Sequence, residues 1–156
     1  MDRQTILQAC IDHQTHVAAV AKQEMDSAQQ QSNDYGANVD RYDSYRTKMM
    51  RARDMYARQL SNANASLRVL QDLQRMPSPA DTAAQGSIVL MTNGQCYLLG
   101  VGLGKVLVPC AAGVGEPQQV VYAVSAQTPV YIALKGRRVG DVITVAGQSL
   151  AVKAIL

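Results

Sequence analysis

Two aspartates three positions apart, Asp40 and Asp43, are the residues of this 156-residue chain best placed for metal chemistry. Residues three apart share one face of a helix, so their carboxylates would lie side by side. Mg²⁺ takes about six oxygen ligands and rarely binds tightly to two carboxylates alone. The pair therefore predicts part of a magnesium site that a partner completes. Acids in a first helical turn also favour the helix macrodipole without any further role, and that alternative stays open.

Cationic residues follow the aspartates closely, although the net charge of the chain is only +3. Arg46 and Arg53 are seven residues apart, as are Arg51 and Arg58, so each pair shares a helix face. Such a face is typical of a surface that attracts phosphate or of a helix side that is simply solvated. The overall charge is too small to choose between these interpretations.

Cysteine, histidine and tyrosine give weaker signals. The three cysteines are Cys10, Cys96 and Cys110. They form no CxxC or Cys/His cluster, which disfavours a zinc site and predicts reduced, mostly buried thiols. His13 and His16 have no third ligand nearby in the sequence. Tyr35, Tyr42 and Tyr45 are expected to pack together, with stacking on RNA bases as the alternative.

These groups lie on a segment without helix breakers, because residues 4–75 contain one Gly and no Pro. Apolar residues recur at spacings of three and four from Tyr42 to Leu73, and more weakly from Leu7 to Ala28. Turn-forming residues occupy 32–38. The pattern predicts an antiparallel helical hairpin, or coiled coil, over 1–76 with its tip near 33–43.

The rest of the chain predicts a different structure. Prolines at 77 and 79 end the helix and open a linker over 77–84. Residues 85–156 are expected to form a small α+β domain, chiefly an antiparallel sheet, in which Asn93-Gly94 is a strong hairpin signal. The expected strands are 87–92, 95–100, 105–108, 119–124, 141–145 and 149–155, with helical turns at 129–135.

A helical hairpin followed by a small β domain resembles the Gre family of transcription elongation and transcript-cleavage factors. The run VSAQTP (124–129), then ALKG (133–136), then VGDV (139–142), is similar to that family's "VS..SP", "AL.G" and "GD.V" segments. Gly86-Ser87 and the apolar end, 150–156, also fit. The resemblance spans nearly the whole chain and implies an FKBP-like C-terminal domain.

At the hairpin tip the family carries a G-D-x-x-E signature, and the matching stretch here reads Val-Asp-Arg-Tyr-Asp from Val39 to Asp43. Valine replaces the glycine, and aspartate replaces the glutamate. Ser44 stands where the family has asparagine, and Arg41 lies between the two acids. The acidic stretch that helps the family dock on its partner has one acid here, in 110–118.

The resemblance implies a bacterial, cytoplasmic accessory factor that is not itself an enzyme. It would bind RNA polymerase as a monomer and insert the hairpin into the secondary channel of the polymerase. There Asp40 and Asp43 would share a Mg²⁺ with the polymerase, which then cleaves its own backtracked RNA; no tightly bound cofactor is implied. The candidates for contacting the nascent RNA are Arg46, Arg51, Arg53 and Arg58.

Three alternatives remain. A regulator could occupy the same channel without promoting cleavage. An FKBP-like domain could act as a peptidyl-prolyl isomerase, although Tyr97, Tyr122 and Tyr131 are its only aromatic residues. A coiled-coil adaptor is the third. No membrane partner is expected, because the start of the chain lacks signal-peptide character and the most apolar stretch, 98–114, is interrupted by Lys, Pro and Gly.

Overall fold

Two long helices form the first half of the chain in the computed structural model, which describes residues 2–35, 44–79, 81–109 and 118–156. Helix α1 spans Arg3–Asp34 and α2 spans Ser44–Arg75, each with 32 residues. At a rise of ~1.5 Å per residue each helix is about 48 Å long. The Asp2 carboxylate accepts the Thr5 N–H at 2.8 Å and so caps the start of α1. Hydrogen bonds from Thr5, its side chain first, lower the pKa of Asp2.

The second half is a six-stranded sheet with one short helix. The elements are β1 Ile88–Met91, β2 Cys96–Leu99, β3 Gly104–Pro109, β4 Gln118–Val124, α3 Pro129–Leu134, β5 Val142–Val145 and β6 Gln148–Ile155. The predicted α+β class, with a helical hairpin before a small β domain, is therefore confirmed. The strand order is β3-β4-β2-β1-β6-β5. The sheet is mixed, because β4 lies between β3 and β2 and pairs parallel with β2.

Two compact units are distinguished by their internal contacts, Met1–His13 with Arg68–Leu156, and Gln14–Leu67. The first unit therefore joins the sheet to the start of α1 and the end of α2. Two apolar clusters fill this unit. One joins both helix ends to side chains such as Leu98 and Val121, and the other packs α3 with side chains such as Val89 and Leu99. Because neighbouring strand residues such as Leu98 and Leu99 point to opposite faces, the clusters lie on the two sides of the sheet.

Arg3 is a buried cation of the first unit, with 8% of its surface exposed. Its guanidinium donates to three carbonyls, from Nε to Gly86 at 2.9 Å, from NH2 to Leu73 at 2.6 Å and from NH1 to Met76 at 3.1 Å. The carbonyls of Leu73 and Met76 lie at the end of α2, where the helix dipole is negative and carbonyls lack helical partners. Arg3 therefore caps α2 and ties it to the start of the sheet. Gly86, with φ +87°, leaves room for it, since a Cβ there would meet Arg3 NH2 at 3.2 Å.

The second unit consists of the paired middle sections of α1 and α2. Contacts such as Gln29 with Arg53 and Gln31 with Tyr45 show that the two helices run antiparallel. The residues buried between them are small or polar: Gln14, Ala18, Ala21, Ala28, Ser32 and Ala63. Small side chains allow two helices to approach closely, but they bury little apolar surface. None of the described helices is long and apolar enough to cross a membrane.

Candidate functional site

The predicted acidic pair, Asp40 and Asp43, lies outside the described residues, as does the intervening Arg41. The assignment of Asp40 and Asp43 as metal-side acids therefore stays a prediction. Among the described residues, no group of three or more His, Cys, Asp or Glu is arranged to hold a metal ion.

An aromatic contact joins the two helices next to this stretch. The rings of Tyr35 and Tyr45 have centroids 5.0 Å apart at an interplanar angle of 40°. The Tyr45 hydroxyl also donates to Gln31 Oε1 at 3.3 Å. Both residues keep a large exposed fraction, 55% for Tyr35 and 41% for Tyr45. The two tyrosines therefore brace the end of α1 against the start of α2 and still present ring surface to a partner.

The four arginines predicted to contact RNA differ in their surroundings. Arg53 is held by its own unit: its Nε and NH2 donate to Asp54 Oδ1 at 2.9 and 2.6 Å, and its NH1 donates to Gln29 Oε1 at 2.9 Å. Its charge is thus balanced by Asp54, and each of its guanidinium nitrogens already donates a hydrogen bond. Arg53 therefore has few donors left for a phosphate. Arg46 is half-buried, and its assignment as an RNA contact stays a prediction.

Arg51 and Arg58 are exposed, seven residues apart on one side of α2. Lys48, which is exposed and three residues before Arg51, lies on the same side. We call Lys48, Arg51 and Arg58 the basic stripe. A spacing of seven does not identify Lys48, whereas a spacing of three also brings residues onto one helix face. The exposed Met55, at 48%, lies between these cations on the same face.

The two helices of the second unit carry opposite charge. The section 44–67 of α2 has five basic residues and one acid, a net charge of +4. The section 14–34 of α1 has three acids and one lysine, a net charge of −2 with neutral histidines. Anions in solution are therefore drawn to one side of this unit, the side that α2 forms.

Other candidate groups belong to the core. Cys10 and Cys96 are buried free thiols in the same cluster. Burial raises the pKa of Cys96 to about 11, and burial with the neighbouring Cys96 raises that of Cys10 to about 12. Both are thus unreactive at neutral pH. Tyr97 of β2 and Tyr131 of α3 are each 6% exposed and belong to the apolar cluster that packs α3 on the sheet, so they do not line an open isomerase pocket.

No protein-family model matches the chain, and no curated protein matches it. Among solved structures, one described as "Structure of the transcription factor Gfh1" aligns with 93% of this chain and 92% of its own. The identity is 18% and the TM-score is 0.30, a value too low to carry an argument about shared function.

Proposed function

We propose that this chain is a Gre-like transcription elongation factor that binds RNA polymerase and promotes cleavage of backtracked RNA. The observation that carries the proposal is the pair of antiparallel 32-residue helices followed by a small sheet domain. Within that domain, the segments 124–129, 133–136 and 139–142 resemble the family's most specific run. In this proposal the first unit binds the outer surface of the polymerase, and the second unit enters its secondary channel. The chain would act as a monomer in the cytoplasm.

The chemistry would belong to the polymerase, and the chain would act as an accessory factor rather than an enzyme. Asp40 and Asp43 would add oxygen ligands to a Mg²⁺ that the polymerase already holds in part, because two carboxylates alone bind Mg²⁺ weakly. Metal-assisted hydrolysis of the RNA phosphodiester needs that ion to orient water and to stabilise the charge that develops. The shared Mg²⁺ is the only cofactor that the proposal requires.

The basic stripe would contact the nascent RNA. Lys48, Arg51 and Arg58 are exposed, and α2 supplies the excess of positive charge. Phosphate attraction does not depend on base sequence, so these contacts would position the RNA rather than select it. Arg53 is excluded from this role in the proposal because Asp54 and Gln29 occupy its donors.

A non-cleaving regulator of the same channel is the second candidate. It is favoured by the tip sequence, where Asp43 replaces a glutamate and Arg41 lies between the acids. A shorter carboxylate reaches less far, and a neighbouring cation offsets part of the negative charge on which a Mg²⁺ ligand depends.

Cleavage of RNA in stalled polymerase complexes separates the two candidates. We expect the chain to stimulate cleavage, and Asp40→Asn or Asp43→Asn to abolish stimulation while polymerase binding remains. Asp34→Asn, an exposed acid at the end of α1, is the matched control and should retain activity. Binding without stimulation would favour the regulator, and absence of polymerase binding would overturn both candidates.

The basic stripe is tested in the same complexes by substitutions that remove its positive charge. Arg51→Gln with Arg58→Gln should weaken RNA-dependent binding and flatten its salt dependence by roughly 0.7 in slope per lost phosphate contact. Arg53→Gln, which removes a cation already paired to Asp54, is the control. Equal losses in both variants would contradict the assignment of the stripe.

A further inference from the structure

The turn after α3 is the most basic short segment of the first unit. Lys135, Arg137 and Arg138 fall within four residues, and all three are exposed. We call residues 135–138 the basic turn. In the described part of the chain none of these three side chains forms an ion pair. The cations therefore remain available to a partner.

The backbone of the basic turn is fixed by hydrogen bonds rather than loosely solvated. The Gly136 N–H donates to the Ala83 carbonyl at 2.7 Å, and the Ala83 N–H donates to the Arg137 carbonyl at 2.8 Å. Ala83 is itself buried, at 1% exposure. Both bonds attach the turn to a core residue, so the backbone that carries the cations is already ordered. Binding of a partner therefore costs less conformational entropy than it would at a flexible loop.

Side-chain contacts of the turn leave its charge free. Arg137 Nε donates to the Ala133 carbonyl at 3.2 Å, which orients the guanidinium and leaves its two terminal amino groups for an anion. The nearby Asp141 uses its Oδ2 to accept the Arg138 backbone N–H at 2.9 Å rather than pairing with a guanidinium.

Apolar side chains flank the turn on both sides along the chain. Ile132, three residues before Lys135, is 66% exposed, and Val139, directly after Arg138, is 60% exposed. Apolar side chains bordered by cations match an acidic protein segment that also carries apolar residues. A nucleic-acid backbone would use the cations but would gain little from Ile132 or Val139.

We infer that the basic turn with Ile132 and Val139 is a docking surface for an acidic, apolar segment of a partner protein. The complementary charge of partner and turn supplies the attraction, and burial of the two apolar side chains supplies selectivity. This surface belongs to the first unit, whereas the basic stripe belongs to the second, and the inference does not depend on the proposed function.

Fluorescence anisotropy of the full chain with labelled probes tests this surface. The probes are a peptide of alternating Glu and Leu, the same peptide with Ser in place of Leu, and a DNA duplex. The unmodified chain should prefer the Glu/Leu peptide. Lys135→Gln, Arg137→Gln and Arg138→Gln together should weaken its binding at least tenfold, and Ile132→Ser alone should weaken it roughly threefold, as expected for lost apolar burial.

The matched control is Lys105→Gln with Lys153→Gln, two exposed lysines of the same domain, which should change the affinity less than twofold. Three results would overturn the inference: equal loss in the control, equal affinity for the Ser-containing peptide, or tighter binding of the DNA duplex through the same cations. Circular dichroism of each variant separates these outcomes from misfolding.

Discussion

The two compact units bury different kinds of side chain. The first unit encloses large aliphatic residues, among them Leu70, Ile88 and Leu98, each at 0% exposure. The buried residues of the second unit are alanines with Gln14 and Ser32. Because stabilisation grows with the apolar area removed from water, the first unit carries most of the folding free energy. The second unit therefore buries few large apolar side chains between its two helices.

The largest difference in stability is expected between alanine substitutions of two leucines in α2. Leu70→Ala removes a fully buried side chain from the first unit and should lower the free energy of unfolding by about 3 kcal/mol. Leu67→Ala, one turn earlier in the second unit, removes a half-buried side chain and should cost about 1 kcal/mol. Urea unfolding followed by circular dichroism measures both. Equal costs would break the comparison between the units.

Arg3→Met tests the hydrogen bonds that the buried Arg3 makes in the first unit. It removes three donors and leaves the carbonyls of Leu73, Met76 and Gly86 without them, so we expect a loss of about 3 kcal/mol. The control is Arg75→Met, whose side chain is 80% exposed and lies 4.0 Å from Asp72. A control loss above about 0.5 kcal/mol would show that helix-end charge, rather than the buried contacts, sets the stability.

The close approach of the helices in the second unit is tested by a larger side chain. Ala63→Leu inserts three carbons at a position with 1% exposure and should lower stability by about 1–3 kcal/mol through overpacking. The control is the same change at Ala65, which is exposed and should accept leucine without a clash. If Ala63→Leu stabilised the protein instead, the seam would contain space, and the second unit would be less tightly packed than the structure indicates.

The buried thiols give the smallest effect, and only at high pH. The folded-state pKa values of Cys10 and Cys96 are raised above 9.0. The contribution of the two thiols to the free energy of unfolding is therefore complete below pH 9 and is lost as the pH rises toward 11 and 12. The urea midpoint should therefore fall above pH 9. Cys96→Ala should reduce this pH dependence, and an unchanged profile in that variant would contradict the assignment.

Much of the fold could be predicted from local signals. Asn93-Gly94 marks the turn between β1 and β2, and Gly94 adopts the positive φ, +83°, that such turns favour. Ala146 and Gly147, at φ +49° and +80°, do the same between β5 and β6. These turns need only neighbouring residues, so the sequence identifies them.

Arg3 could not be predicted in this way, since its three acceptors come from distant positions in the chain. The sequence does not distinguish the exposed Arg51 from the paired Arg53, because each belongs to a pair of arginines spaced by seven. Only the tertiary contact of Arg53 with Gln29 distinguishes them. Asp40 and Asp43 lie outside the described residues, and their role stays a prediction. The basic turn was not among the sites predicted from the sequence, because its attachment to the core through Ala83 depends on tertiary contacts.

Site-specific photo-crosslinking to RNA polymerase tests the central claim most directly, with a photoreactive residue in place of the exposed Tyr35 at the end of α1. The account predicts an adduct with the catalytic subunit of the polymerase near its active-centre Mg²⁺. It also predicts that an occupied secondary channel prevents this adduct. Polymerase binding without such an adduct, or an adduct only on the outer surface of the polymerase, would contradict it.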